Sequence, residues 1–431
     1  MTIADDNRQS LIDYFASGSK ELDRKLGVEV EHFIIMEDDG TPFTYEPQGN
    51  VPGLQDVLNH LLRTYPAMFQ NTEGELIGCA SEEASITLEP SAQIEVSIAP
   101  YESIKEIGAA YQHFREALDP YLTEHGAKLV NAGYHPTRKA EELTLIPKER
   151  YRLMDKHFAD LGTLGLRMMR ASASTQVSID YVSEADAVRK MRVASALAPI
   201  LGAVADNVAV YEREVGEYPL VRLAVWRNVD DARCGVVPSV FDSGFGFGAY
   251  ADWLLGTSPI FINKKNADGT TTPQAESTRP SGEIYADTAM TKEDIEHLIS
   301  MFWPDVRLKR YVEIRPADSL PQEYLEGYAA LVKGLFYSDD SLRALEDAFG
   351  VTKDDQGRDL WSLSEQDIED AITAIRKQGY AATFYGDHAK SLRDWEELLF
   401  DLAKRALPAE EQPYLDPLQH FALNKNWKLV S

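Results

Sequence analysis

The chain has 431 residues, 44% of them hydrophobic, and 70 acidic against 43 basic side chains give a net charge of -27. That length fits one large catalytic domain or two intimate ones, and that charge argues against nucleic acid and anionic membranes, which reward Lys and Arg. No apolar run approaches the roughly 20 residues that span a bilayer, Met1 to Ser19 shows no leader pattern, and Cys79 and Cys234 are too few for a disulfide framework, so a reducing, cytoplasmic setting is expected.

In chain order, the first element is Gly27-Val-Glu-Val-Glu-His-Phe-Ile-Ile, where Val28 and Val30 alternate with Glu29 and Glu31. Side chains alternate faces along a strand, so this reads as a strand with both carboxylates on one side. Gln93-Ile-Glu-Val-Ser-Ile repeats the device, with Gln93, Glu95 and Ser97 opposite Ile94, Val96 and Ile98, and Glu89 just upstream before Pro90. A third strand puts Ser174, Gln176, Ser178 and Asp180 on one face. A helix is expected over 183–213, with Ser183 and Asp186 as a capping pair and Pro199 as a kink. Leu220 to Arg227, which carries Arg222, alternates like another strand. Gly244, Gly246 and Gly248 do not fit a dinucleotide fingerprint and read as a turn whose backbone approaches a ligand. Residues 266–281 are rich in Thr, Pro, Gly and Ser and read as a loop, either a lid or a plain linker. After a helix opened by Thr291, the strand Tyr311-Val-Glu-Ile-Arg sets Glu313 and Arg315 against Val312 and Ile314. From about Leu320 the chain is nearly all helix, over 321–336, 338–349, 364–377 and 391–407.

One acidic strand face is ordinary solvated surface, but four, none with Lys, point to a common concave site. Carboxylates gathered there would repel one another, and hard divalent cations, Mg²⁺ or Mn²⁺, are the natural compensation because they take oxygen ligands and bridge to phosphates. The arginines offer a bidentate grip on a carboxylate substrate, with Arg315 favoured because it stands two residues from Glu313.

These motifs, in this order, resemble the glutamate–cysteine ligases of the plant and proteobacterial type. Gly27-Val-Glu-Val-Glu resembles that family's Gly-x-Glu-x-Glu strand, and Leu88-Glu-Pro-Ser-Ala-Gln-Ile-Glu resembles its Leu-Glu-Pro-Gly-Gly-Gln-x-Glu. Pro147-Lys-Glu-Arg-Tyr, Leu161 to Met169, Gln176-Val-Ser-Ile-Asp, Arg222 to Trp226, Asp230 to Gly235, Phe241 to Phe247 and Arg307 to Asp318 follow in the family's sequence. The resemblance implies an α+β fold of glutamine-synthetase catalytic type: a curved, mostly antiparallel sheet with helices packed outside. It implies a catalytic domain over 1–325 and a helical region over 326–431 packed on it. It implies that ATP phosphorylates the γ-carboxylate of glutamate and that the amine of cysteine displaces phosphate; another amine acceptor is the alternative. By position, Glu29, Glu31, Glu89, Glu95 and Glu313 would be metal ligands, Arg222 and Arg315 would grip glutamate, and Gln176, Tyr151 and Arg150 would line the pocket. The partners implied are glutamate, cysteine and ATP, with a homodimer as one option. Four departures stand out: Ser91 and Ala92 replace a glycine pair, Arg170 lies one residue before the plant pattern's arginine, Pro316 replaces a glycine, and two cysteines cannot form the plant branch's two bridges.

Overall fold

The two acidic strands pair with each other at the centre of the fold. The computed structural model describes residues 2–21, 23–71, 73–265 and 271–430. Nine strands form one sheet: β1 (Leu26–Met36), β2 (Ala67–Gln70), β3 (Leu76–Ala80), β4 (Ala84–Leu88), β5 (Ile94–Tyr101), β6 (Ala127–Val130), β7 (Thr175–Ile179), β8 (Val306–Leu308) and β9 (Val312–Ile314). Their order is β8-β9-β7-β1-β5-β4-β3-β2, with β6 on the far half of β1, and every pairing is antiparallel. The expected α+β class and antiparallel sheet are therefore present.

Register does the sorting. Val30 faces Val96 and Glu31 faces Glu95 across the β1–β5 pair, while Glu29 sits between Ser97 and Gln176. Every second residue is thus apolar on one face, and Val28, Val30, Val96, Val177, Val312 and Ile314 are all fully buried there. That face is covered by the helices Ile104–Glu124, Glu184–Val204 and Gln322–Phe336. Glu184–Val204 is buried almost all round, as a helix inside a core must be. The opposite face carries the acids.

Three expectations change. The helix opened by Ser183 ends at Val204 rather than at Arg213, because Asp206 and Asn207 leave the helical path to bond distant backbone amides and carbonyls. Leu220 to Arg227 is not a strand: Val221–Trp226 is a short helix entered through Leu220 at φ +55°. Its apparent alternation was misleading because Arg222 is buried along with Val221, Leu223 and Val225, so period two did not separate a wet face from a dry one. Part of the expected loop is a hairpin, Phe261–Lys265 with Thr271–Ala275, packed on the Glu149–Leu161 helix. Asn266–Thr270, the rest of the lid-or-linker reading, lies outside the described residues.

The later helices begin where capping residues predict. Thr291, Ser364 and Ser391 each form a reciprocal box with an aspartate three residues on. The expected division at 325 falls inside Gln322–Phe336, which packs both on β1 and β7 and on the last helices, Leu392–Ala406 and Leu415–Leu423. Cys79 and Cys234 are unpaired, and no helix among the described residues is long and apolar enough to cross a membrane.

Candidate active site

The polar face of the sheet forms the floor of a cavity of about 550 Å³. Nine of the ten sequence-predicted site residues line it: Glu29 and Glu31 from β1, Glu95 from β5, Glu89 from the β4–β5 turn, Gln176 from β7, Arg315 just after β9, Arg222 from the short helix, and Arg150 with Tyr151 from the first turn of Glu149–Leu161.

The acidic wall follows from register. Glu31 and Glu95 stand directly opposite each other, a pairing that like charges disfavour. Glu31 accepts a 2.6 Å bond from the Ser174 amide, and Glu95 accepts from the hydroxyls of Thr87 at 3.1 Å and Ser97 at 3.2 Å. Burial pushes the Glu31 carboxyl up to about 7, reinforced by Glu89. Burial also raises Glu29, reinforced by Glu313, and holds Glu95 well above the usual range, reinforced by Glu29, Glu89 and Glu31. Three acids in this state, with Glu89 beside them, call for protons or for a cation.

Whether a hard cation fits rests on donor chemistry. Among the described residues no three acids, histidines or cysteines already converge as a ready metal cage. The donors on this wall are nonetheless oxygens, from carboxylates joined by Ser174 and the Gln176 amide, and the raised proton affinity of Glu29, Glu31 and Glu95 marks uncompensated negative charge. That set fits Mg²⁺ or Mn²⁺ and does not fit a soft metal.

Glu313 is the exception to the predicted set. It is fully buried below the cavity surface, and its carboxylate accepts from Arg307 at 2.7 and 3.1 Å, Lys309 at 2.9 Å and Arg315 at 2.9 Å. Burial works to raise this carboxyl, but Arg307, Lys309 and Arg315 together hold it well below the usual range. Glu313 is the counter-ion that gathers three cations into a basic wall beside the acidic one. Glu313 thus stands apart from the four carboxylates that line the cavity.

The two predicted arginines are held differently. Arg315 also donates to the Gln176 side-chain oxygen, and its guanidinium lies 6.0 Å from the Trp226 ring centre. Arg222 donates through Nε to Asp318 at 3.1 Å and through Nη2 to the carbonyls of Arg315 and Ala317 at 2.6 and 2.7 Å. Arg222 therefore braces the chain just beyond Arg315. Arg150 donates to the hydroxyl and carbonyl of Ser300 at 3.1 and 2.8 Å, while Tyr151 donates to the Leu88 carbonyl at 3.2 Å.

The profile of glutamate–cysteine ligase family 2 matches residues 25–422. The chain belongs to this family. It is 32% identical over 343 residues to the chloroplastic glutamate–cysteine ligase of Arabidopsis thaliana, covering 79% of this chain and 65% of that enzyme. Against glutamate–cysteine ligase B, chloroplastic, of Oryza sativa subsp. japonica it is 31% identical over 419 residues, covering 93% of this chain and 77% of the rice enzyme. Its fold also resembles a glutamate–cysteine ligase from Francisella tularensis solved in complex with AMP, with a TM-score of 0.52, 15% identity, and coverage of 94% of this chain and 83% of that one.

Within this member of the glutamate–cysteine ligase family the sequence departures have structural outcomes. Ala92 takes the left-handed conformation, φ +71°, so the β4–β5 turn keeps a glycine-like backbone without glycine. Arg170 is drawn away into an ion pair with Asp155 at 2.6 Å and does not line the cavity. The glycines at 244–248 do not line it either; they lead into the Phe247–Gly256 helix, whose Phe247 amide donates to Glu184. Three lining cations escaped assignment: Lys148, which donates to the Leu88 carbonyl at 2.7 Å, and Arg307 and Lys309 on the Glu313 carboxylate. Their signal was present in Arg307-Leu-Lys309, basic residues at strand spacing across the turn from Glu313.

Proposed function

We propose that this protein joins the γ-carboxylate of glutamate to the amine of cysteine at the expense of ATP. The observation that carries the reading is one cavity lined by an acidic wall of Glu29, Glu31, Glu89 and Glu95 and, beside it, a basic wall of Arg307, Lys309 and Arg315. Membership of glutamate–cysteine ligase family 2 supports the substrates, and the Francisella enzyme's complex with AMP supports an adenine nucleotide.

The acidic wall would hold Mg²⁺ or Mn²⁺ through Glu29, Glu31, Glu89 and Glu95, and such an ion, when bound, supplies charge neutralisation for phosphate oxygens. Arg315 would grip a substrate carboxylate, a reading supported by its guanidinium being fixed by Glu313, Gln176 and Trp226. Arg222 keeps it there by holding the Arg315 and Ala317 carbonyls. The γ-carboxylate oxygen then attacks the terminal phosphorus of ATP, ADP leaves with the bridging oxygen, and the product is a mixed anhydride. The amine nitrogen attacks the carbonyl carbon next, phosphate departs with the C–O bonding pair, and the amine proton is released. Positioning and charge matching account for such catalysis with no covalent intermediate on the protein.

ADP release with Mg²⁺-ATP and glutamate, with and without cysteine, tests this directly when followed by product mass. Cysteine-dependent ADP and a γ-glutamylcysteine mass are expected. Glutamate-dependent ADP that cysteine does not accelerate would overturn the acceptor and turn the search to other amines. No turnover at all would overturn the reaction.

A further inference from the structure

The segment 424–430 follows the stretch matched by the family profile, yet it is tied into the framework behind the cavity. The Lys425 amide donates to the Tyr380 hydroxyl at 2.7 Å, the Lys428 amide to the Glu217 carbonyl at 2.7 Å, and the Val430 amide to the Arg376 carbonyl at 2.9 Å. Two side chains reach further in. The Trp427 indole N–H donates to Asp206 Oδ2 at 2.7 Å, and the Lys425 ammonium donates to the Asp206 carbonyl oxygen.

Asp206 and its neighbour are the link to the site. Asp206 Oδ2 also accepts from the Leu220 amide at 3.3 Å, and Leu220 is the left-handed residue that launches the six-residue helix carrying Arg222. The Asn207 amide donates to Asp318 Oδ2 at 2.8 Å, while the other oxygen of Asp318 receives Arg222 Nε. One dipeptide therefore holds both the backbone entry to the Arg222 helix and the carboxylate partner of the Arg222 side chain. A helix this short has little stability of its own, so its orientation depends on such contacts.

Charge runs along the same line. Asp206, Asp318 and Glu396 are all buried, and neither carboxylate oxygen of Glu396 has a hydrogen-bond partner. The Lys425 ammonium is the cation that acts on all three, with Arg222 adding to it at Asp318 and Arg393 at Glu396. Withdrawing it leaves buried acids that low dielectric does not tolerate.

We propose that Trp427 and Lys425 are positioning residues for glutamate binding, acting through Asp206 and Asn207 to set Arg222 and, through it, Arg315. The proposal rests on the reading of those arginines as the glutamate grip. It gives the C-terminal segment a role in affinity for one substrate, separate from any general contribution to folding.

Trp427→Phe in the full chain tests it, because the phenyl ring still packs on Tyr380, whose ring centre lies 5.0 Å from the indole, while the N–H is lost. The KM for glutamate is expected to rise about tenfold or more, the scale of one hydrogen bond to a buried charged group, with kcat and the KM for ATP within about twofold. Trp427→His, which keeps a ring N–H, should restore most of the glutamate KM. Amide exchange over Leu220–Trp226 should quicken in the Phe variant. Faster exchange or a lower Tm with an unchanged glutamate KM would overturn the proposal and leave a purely structural tail, and so would equal rises in every substrate's KM. Should Trp427→Phe not fold, Lys425→Gln is expected to show the same glutamate-specific rise, and its absence there overturns the proposal equally. Wild-type protein lacking glutamate-dependent ADP release would instead fail the underlying function; the proposal would then stand on glutamate affinity measured by calorimetry, and equal affinity in wild type and Trp427→Phe would overturn it.

Discussion

Arg315 has spent most of its freedom before any substrate arrives. Glu313, Gln176 and the Trp226 ring fix its guanidinium, so Arg315→Lys, which retains the charge but loses the planar fork, is expected to cut kcat/KM for glutamate by about a hundredfold or more. Steady-state kinetics at saturating ATP and cysteine would measure this, and a loss under fivefold would make Arg315 a structural residue. Glu31 and Glu313 differ in what removal of their charge does. Glu31→Gln takes one charge from a crowded acidic wall, so activity should fall sharply while the metal-free protein gains stability at pH 8. Glu313→Gln leaves Arg307, Lys309 and Arg315 crowded around an uncharged amide, a change expected to cost about 3 kcal/mol or more. Denaturant titration of the two variants would show opposite signs; equal destabilisation would refute the two-wall description. The acids were legible because strand alternation places them unambiguously, Glu29 with Glu31 and Gln93 with Glu95. Glu313's actual partners were not, since sequence shows that Arg307 and Lys309 are near in the chain but not that they close on one carboxylate.

At the scale of elements, the β4–β5 turn shows the chain keeping a backbone shape after losing the residue that suits it. Glu89 O accepts from the Ala92 amide and the Glu89 amide returns to Gln93 O, with Ala92 at φ +71°. A Cβ in that region costs roughly 1 kcal/mol, partly offset in glycine by the looser unfolded chain. Ala92→Gly is therefore expected to stabilise by about 0.5 kcal/mol and to leave turnover intact, because Glu89 keeps its place. Thermal melts decide this, and destabilisation beyond 1 kcal/mol would mean that the methyl, in its nearly buried setting, matters more for packing than for strain. The helices with Ser or Thr caps were readable to within a residue or so at their starts. The Val221–Trp226 helix was not, because a buried Arg222 among buried Val221, Leu223 and Val225 breaks the periodic signal, and only the long-range bonds of Arg222 reveal why the chain coils there.

For the whole molecule, the acidic wall makes stability depend on pH in a definite direction. A carboxyl with an ordinary value of 4.5 raised to about 7 in the fold, as at Glu31, binds its proton more tightly when folded. The stabilisation that this proton gives is complete below about 4.5 and is lost as pH rises through about 7, so metal-free protein should melt at falling temperature from pH 5.5 to pH 8. Glu313 runs the other way, adding stability above its unfolded value that is lost only in stronger acid. Millimolar Mg²⁺ should raise Tm by several degrees at pH 8 and by much less at pH 5.5, since it replaces the missing protons. A Tm shift independent of pH, or none, would count against a cation on this wall. The architecture as a whole was more legible than its joints: strand faces and capped helices announce themselves locally, whereas the short helix carrying Arg222 is set by partners far along the chain. The pairing of β1 with β5 has one more consequence, which concerns how the chain finds its fold. Sliding either strand by one residue would drive Glu29 and Glu31, or Glu95, into the space that Val28, Val30 and Val96 fill. Misaligned pairings are thus penalised by buried charge as the helices dock, and the residues that line the cavity also act as the proofreaders of its assembly.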